Sequence, residues 1–176
     1  QHSNGKNRVM FTIGYSTRQL GKFIEMLKGH GIKILIDVRT VPRSKHKPEF
    51  NAESLPKPLR KVGIRYLHMK ELGGLRKPDK DSVNTGWINA SFRGFADYMQ
   101  TKDFDDAIKR LMALADKKNV ALMCAEGNPF RCHRSLIADA MLVRGYKVFE
   151  ITGNKSSSEH RLTKFAKVSK KKITYP

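Results

Sequence analysis

Residues 120–134 read Val-Ala-Leu-Met-Cys-Ala-Glu-Gly-Asn-Pro-Phe-Arg-Cys-His-Arg. The first five form a continuous apolar run bounded by turn formers, the pattern of a parallel strand buried on both faces. Gly127, Asn128 and Pro129 then make a turn, and a helix follows. In an open α/β sheet such a strand-to-helix turn lies at the carboxyl edge, where ligands bind and where the helix start offers free N–H groups and partial positive charge. Cys124, Glu126, Arg131, Cys132, His133 and Arg134 are crowded into eleven residues there. The stretch reads as an anion site containing a thiol.

Outward from it, strands and helices alternate. Val9 to Gly14 is a short apolar strand, and Ser16-Thr-Arg-Gln19 has the form of a capping box. Leu20, Phe23, Ile24 and Leu27 share one face of a helix that stops at Gly29 or Gly31. Ile32 to Val38 is a second strand, so the first unit is a parallel pair with a crossover helix. Val41 to Pro58 is a long, basic, proline-rich connection with room for a helical turn over Pro58 to Val62. Ile64 to His68 is a third strand, Gly73-Gly74 marks a tight bend, and Leu75 to Ala90 is irregular. There Trp87 can stack on a base or pin the loop to the core. Phe92 to Gln100 is helical, Asp103 caps the next helix, and Leu136 to Met141 carry another as far as Gly145. Lys147 to Ile151 is the fifth strand. The expected fold is one α/β domain over residues 9–153, three-layered and Rossmann-like, with a mostly parallel five-stranded sheet and helices on both faces. Residues 1–8 are read as a disordered segment outside the fold, and 154–176 as a solvated basic tail.

Composition narrows the partners. The 176 residues carry 35 Lys and Arg against 16 Asp and Glu, a formal charge of +19. Such a surplus creates a positive surface potential and favours polyanions, nucleic acid first. Two cysteines with seven residues between them, no signal peptide and no apolar run near membrane-spanning length point to the reducing cytoplasm and away from the membrane. No cofactor is expected.

If all five strands are parallel, Tyr15, Ser16 and Arg18, then Asp37 and Arg39, then His68 and Lys70, then Cys124 to Arg134 gather along one edge, and that convergence defines a site. These segments resemble a known family. Thr12-Ile-Gly-Tyr-Ser-Thr17, Asp37-Val-Arg-Thr-Val-Pro-Arg-Ser44, Gly63-Ile-Arg-Tyr66, Leu72-Gly-Gly74 and Cys124-Ala-Glu126 followed by Cys132-His-Arg134 are similar, in order, to the signature of the bacterial and archaeal domain of unknown function 488. The resemblance spans about Val9 to Ile151 and implies an α/β fold with a cleft lined by these motifs. It supplies no reaction. The family's last strand often ends in His-Ile, where this chain has Glu150-Ile151.

Function therefore rests on the residues. In one reading the chain is an enzyme acting on a nucleotide, nucleic acid or other phosphorylated substrate. Arg131 and Arg134 fork the phosphate, Tyr15, Ser16, Arg39, Arg43, His68 and His133 complete the anion site, Cys124 is a nucleophile of lowered pKa, and Glu126 or Asp37 handles the proton. The layout resembles tyrosine phosphatases and rhodaneses, although the phosphatase loop is one residue shorter between cysteine and arginine. In a second reading the chain binds nucleic acid without catalysis. Cys124 is then a small buried hydrophobe, and Asp37 and Glu126 tie down buried arginines. A metal held by Cys124, Cys132 and His133 is the third reading. No paired Cys-x-x-Cys accompanies those residues, and no metal site is assigned.

Overall fold

A computed structural model describes residues 8–176. Five parallel strands, β1 (Val9–Gly14), β2 (Ile34–Asp37), β3 (Arg65–His68), β4 (Val120–Cys124) and β5 (Lys147–Ile151), are joined by an antiparallel edge strand, β6 (Ser157–Glu159), in the order β3-β2-β4-β1-β5-β6. The helices are α1 (Leu20–Gly29), α2 (Pro56–Lys61), α3 (Ala90–Tyr98), α4 (Lys102–Lys117) and α5 (Arg134–Leu142). The expected α/β sheet is thus present with one strand more. That strand is an exposed Ser-Ser-Glu, which has no apolar alternation to announce it.

The three layers follow from the pleat, which sends successive side chains to opposite faces. Val120, Leu122 and Cys124 of β4 pack with Phe95 of α3, Phe104, Ile108 and Leu111 of α4 and Leu136 and Ile137 of α5. Ala121 and Met123 face the other way, onto Phe23, Met26 and Leu27 of α1 and Leu59 of α2. The chain leaves β1 for one face and the adjacent β4 for the other. The segments that follow the strands therefore gather at their carboxyl ends, the edge where such sheets bind ligands.

Two expected caps are not formed. Gln19, not Ser16, precedes α1, and its side chain makes no capping bond. Ser16 is drawn instead toward the β4 loop, at φ 40° with its N–H on the Ala125 carbonyl at 2.8 Å. In α4 the cap is Thr101, whose Oγ1 accepts from the Phe104 N–H at 3.2 Å, while Asp103 sits in the first turn.

The segment after residue 153 is folded, in contrast to the expected solvated tail. Beyond β6 it forms the hairpin β7 (Lys167–Ser169) and β8 (Lys172–Thr174), and Ile173 and Tyr175 are buried against α3 to α5. Asp139, buried in α5, accepts hydrogen bonds from Tyr175 Oη at 2.8 Å and the Thr163 N–H at 3.2 Å and contacts His160 Nε2 at 2.8 Å. Trp87 pins the irregular 75–90 excursion to the same place, packing edge-on against Phe92 and Phe165. At the other end residues 1–7 fall outside the described residues, whereas Arg8 pairs with Asp116 at 2.9 Å. Among the described residues no helix is long and apolar enough to cross a membrane. Tyr175→Ala is expected to cost about 3–5 kcal/mol of unfolding free energy in urea, the range for deleting a buried aromatic ring; an unchanged midpoint would make the segment a dispensable tail.

Candidate functional site

Two buried arginines shape the carboxyl edge, and both spend their donors on the protein. Arg134, the first residue of α5, is 0% exposed. Its Nε and Nη2 donate to the two Glu150 oxygens at 3.1 and 2.8 Å, Nη2 also to the Gly127 carbonyl at 3.2 Å, and Nη1 to the Glu126 carbonyl and to Cys124 Sγ, both at 2.7 Å. A guanidinium has five N–H groups. All five are engaged within the fold, whereas the sequence reading has Arg134 fork a phosphate. Burial pulls its pKa down, but the two cysteines and Glu150 outweigh that and raise it, which keeps it charged. Glu150 is also held by Thr12 Oγ1 at 2.5 Å.

Arg39 is engaged nearly as fully. Nε and Nη2 grip the Asp37 carboxylate at 2.9 and 2.7 Å, Nη2 also reaches the Phe50 carbonyl, and Nη1 donates to Tyr15 Oη at 3.2 Å. One Nη1 hydrogen remains. Asp37 is fully buried and accepts further bonds from the Arg39 N–H and Tyr66 Oη. Both of its oxygens are thus engaged within the fold, whereas the sequence reading offers it as a proton acceptor. Burial first, and then the Asp37 bond, raise the Tyr66 pKa. Tyr15 is buried and stacked on Phe50, and His68 Nε2 lies 2.7 Å from the Arg39 carbonyl. Arg43 is exposed on the connection and lies outside the cleft.

Between these anchors lies a cleft of about 330 Å³. Of the residues read as site candidates, Cys124, Glu126, Arg39, Arg131 and His133 line it, together with Cys132, Thr40 and Phe92. Arg131 is exposed there, and Glu126 is the one carboxylate of the lining. A broader depression of about 810 Å³ adjoins it through Thr40 and Leu75. Its charges are of both signs and partly paired, as in Arg110 with Glu71 at 2.9 Å, and it contains neither thiol.

The thiols are 4% and 6% exposed. Cys132 lies just before α5, and the Arg134 backbone N–H points at its Sγ from 3.4 Å. His133 Nε2 is 2.9 Å from the Val38 carbonyl and 2.8 Å from the Leu72 carbonyl. Both partners are acceptors only, so Nε2 carries the proton and, in the neutral ring, Nδ1 is the bare lone pair. That Nδ1 is 3.7 Å from Cys132 Sγ. Burial pushes the Cys132 thiol up, but hydrogen bonds from Cys124 and His133 and the charges of His133 and Arg134 prevail and hold it well below the usual thiol range. Burial and the neighbouring Cys132 push Cys124 well above that range. The sequence reading assigns a lowered pKa to Cys124; here the lowered group is Cys132. The pair gives up one proton readily and resists losing the second. The sequence reading weighs Cys132 only as a metal ligand, although its place at a helix start beside a histidine is a visible sign of a reactive thiol.

Two glycines leave room for this geometry. A Cβ on Gly74 would sit 2.5 Å from His133 Nδ1, and one on Gly14 would sit 1.8 Å from the Glu126 carbonyl oxygen. The Gly73-Gly74 pair therefore serves close approach to Thr40 and His133. The β4–α5 loop is no open phosphate cradle. Asn128 Oδ1 accepts from the Phe130 N–H, and the Arg131 and Cys132 N–H groups bond to the carbonyls of Asn128 and Pro129. Among the described residues no three His, Cys, Asp or Glu side chains gather as metal ligands. Glu150→Ala strands the Arg134 charge in the interior and is expected to cost about 3–5 kcal/mol in chemical denaturation; a loss no larger than that of an exposed pair would assign the anchoring elsewhere.

Comparison with known proteins gives one assignment. No curated protein and no solved structure matches the chain. A family model described as "Domain of unknown function DUF488" matches residues 19–141, from the residue before α1 into α5 and across both the Asp37–Arg39 and the Cys124–Arg134 segments. The chain belongs to the DUF488 family.

Proposed function

We propose that the chain is a thiol-dependent enzyme acting on a phosphate-bearing substrate, a nucleotide or nucleic acid, with Cys132 as the nucleophile. The observation that carries this reading is the fixed His133 ring. Its Nε2 is tied to two carbonyls, so the lone pair on Nδ1 faces the one thiol of the pair whose pKa is depressed. A nucleophile beside a base that is itself held in orientation is the arrangement nucleophilic catalysis requires.

Cys132 passes its proton to Nδ1, and the thiolate is stabilised by the Arg134 N–H, the start of α5 and the nearby guanidinium. Glu126, exposed at the cleft, is placed to exchange the second proton with a leaving group. Arg131 and the spare Nη1 hydrogen of Arg39 are the donors left for the phosphate. A formal charge of +19 supports an anionic substrate. A second reading, a nucleic-acid-binding module without catalysis, is favoured by the C-terminal segment, where Arg161, Lys164, Lys167, Lys170 and Lys171 are exposed with no acidic residue among them.

Alkylation of the whole chain by iodoacetamide across pH separates the two. At about pH 6 an ordinary thiol is almost wholly protonated and barely reacts. A depressed pKa keeps Cys132 ionised there, so it is expected to be labelled first, with reactivity lost only as pH falls through its lowered value. Gly74→Ala displaces the His133 ring and is expected to slow that labelling while the fold persists. Labelling of neither cysteine until alkaline pH favours the binding module. Arg131→Ala is expected to weaken oligonucleotide binding about tenfold or more, as loss of a charged hydrogen bond does; unchanged affinity would move the anion site elsewhere.

A further inference from the structure

Cys124 is left without a role in that chemistry, yet it is the second sulfur of the same cleft. Both thiols touch Arg134. The backbone N–H lies 3.4 Å from Cys132 Sγ, and Nη1 lies 2.7 Å from Cys124 Sγ. Both side chains also line the same cleft. They stand at the two ends of one loop, β4 ending at Cys124 and α5 beginning after Cys132 and His133. Joining them would clip that loop at both ends.

We propose that Cys132 and Cys124 form a dithiol redox centre, in which a hydroperoxide oxidises Cys132 and Cys124 resolves the product as an intrachain disulfide. The proposal rests on the reading of Cys132 as the ionised thiol. In the first step the Cys132 thiolate attacks the terminal peroxide oxygen. The S–O bond forms, the O–O bond breaks, the sulfur loses two electrons, and the departing oxyanion takes the proton held on His133 Nδ1. The products are Cys132 sulfenic acid and an alcohol, or water when the oxidant is hydrogen peroxide. In the second step Cys124 attacks the sulfenic sulfur. The S–S bond forms, the S–O bond breaks, and hydroxide leaves with the Cys124 proton as water. Two external thiols, or one dithiol, supply the two electrons that restore the pair and leave as a disulfide of their own.

The geometry gives each sulfur its part. Cys132, with a base and a helix start beside it, is the low-pKa thiol that peroxides select. Cys124, protonated and adjacent, is the resolving thiol that protects against further oxidation. Burial at 4% and 6% admits a small neutral oxidant more readily than a bulky one. The disulfide removes the Cys132 thiolate and so switches off the nucleophile.

The test is the intact mass of the reduced full chain after hydrogen peroxide treatment, quenched with iodoacetamide and without reductant. The expected result is a loss of two hydrogens with alkylatable cysteines falling from two to none, reversed by dithiothreitol. Cys124→Ser is expected to stop at a Cys132 sulfenic acid that dimedone traps, and Cys132→Ser to form neither product. Two thiols still alkylatable after peroxide, progression to sulfinic acid in the wild-type chain, or disulfides only between chains would overturn the proposal. If Cys132 is labelled at about pH 6 in the untreated chain while no disulfide forms, the redox centre fails and the thiol enzyme stands. If low-pH labelling is absent, the thiol reading itself fails.

Discussion

Everything at the carboxyl edge depends on the saturated guanidinium of Arg134. It joins α5 to β5 through Glu150, to the end of β4 through Cys124, and to the loop between them through the Glu126 and Gly127 carbonyls. A charge buried in this way is tolerable only because each of its donors is met and a carboxylate balances it. Removing one partner would leave the other uncompensated, so the loop conformation is fixed by electrostatic necessity as well as by packing. Asp37 and Arg39 do the same at the end of β2. The cleft is the space left between two neutralised ion pairs.

That division of charge clarifies what the surplus of cations does. The buried arginines are consumed by the fold and add little to the outer potential beyond what Glu150 and Asp37 cancel. The potential comes from exposed residues such as Arg131 at the cleft and the lysines of the C-terminal hairpin. In the proposed function, steering of a polyanion and stabilisation of a thiolate are separate tasks given to different residues. The Cys132 sulfur is approached from within, by the start of α5 and by a histidine whose far nitrogen is tethered to the Val38 carbonyl, just after β2, and to the Leu72 turn.

How much of this could be read from the chain varies with the range of the interaction. β1, β4 and β5 coincide with the strands read from their apolar runs, because burial on both faces writes itself directly into composition. The α/β class and the gathering of motifs on one edge followed from that order. Local signals failed where tertiary contacts won. Ser16 bonds to Ala125 and abandons its helix cap. The lysine-rich end of the chain folds because two residues, Ile173 and Tyr175, find a buried place prepared by Trp87, Asn84 and Asp139 far away in sequence. At the site, residue types were legible but their commitments were not. Which arginine is free depends on counting donors against Glu150, sixteen residues on, and which cysteine faces a histidine lone pair depends on a tautomer set by the carbonyls of Val38 and Leu72.

The tautomer of His133 is therefore the most direct thing to measure, by long-range proton–nitrogen correlation on labelled protein through a pH titration. The account requires Nε2 to stay protonated throughout, with Nδ1 the nitrogen that changes as Cys132 gives up its proton. A ring protonated on Nδ1 with Nε2 bare would leave two buried carbonyls without a donor and Cys132 without a base, and would contradict the account at its centre.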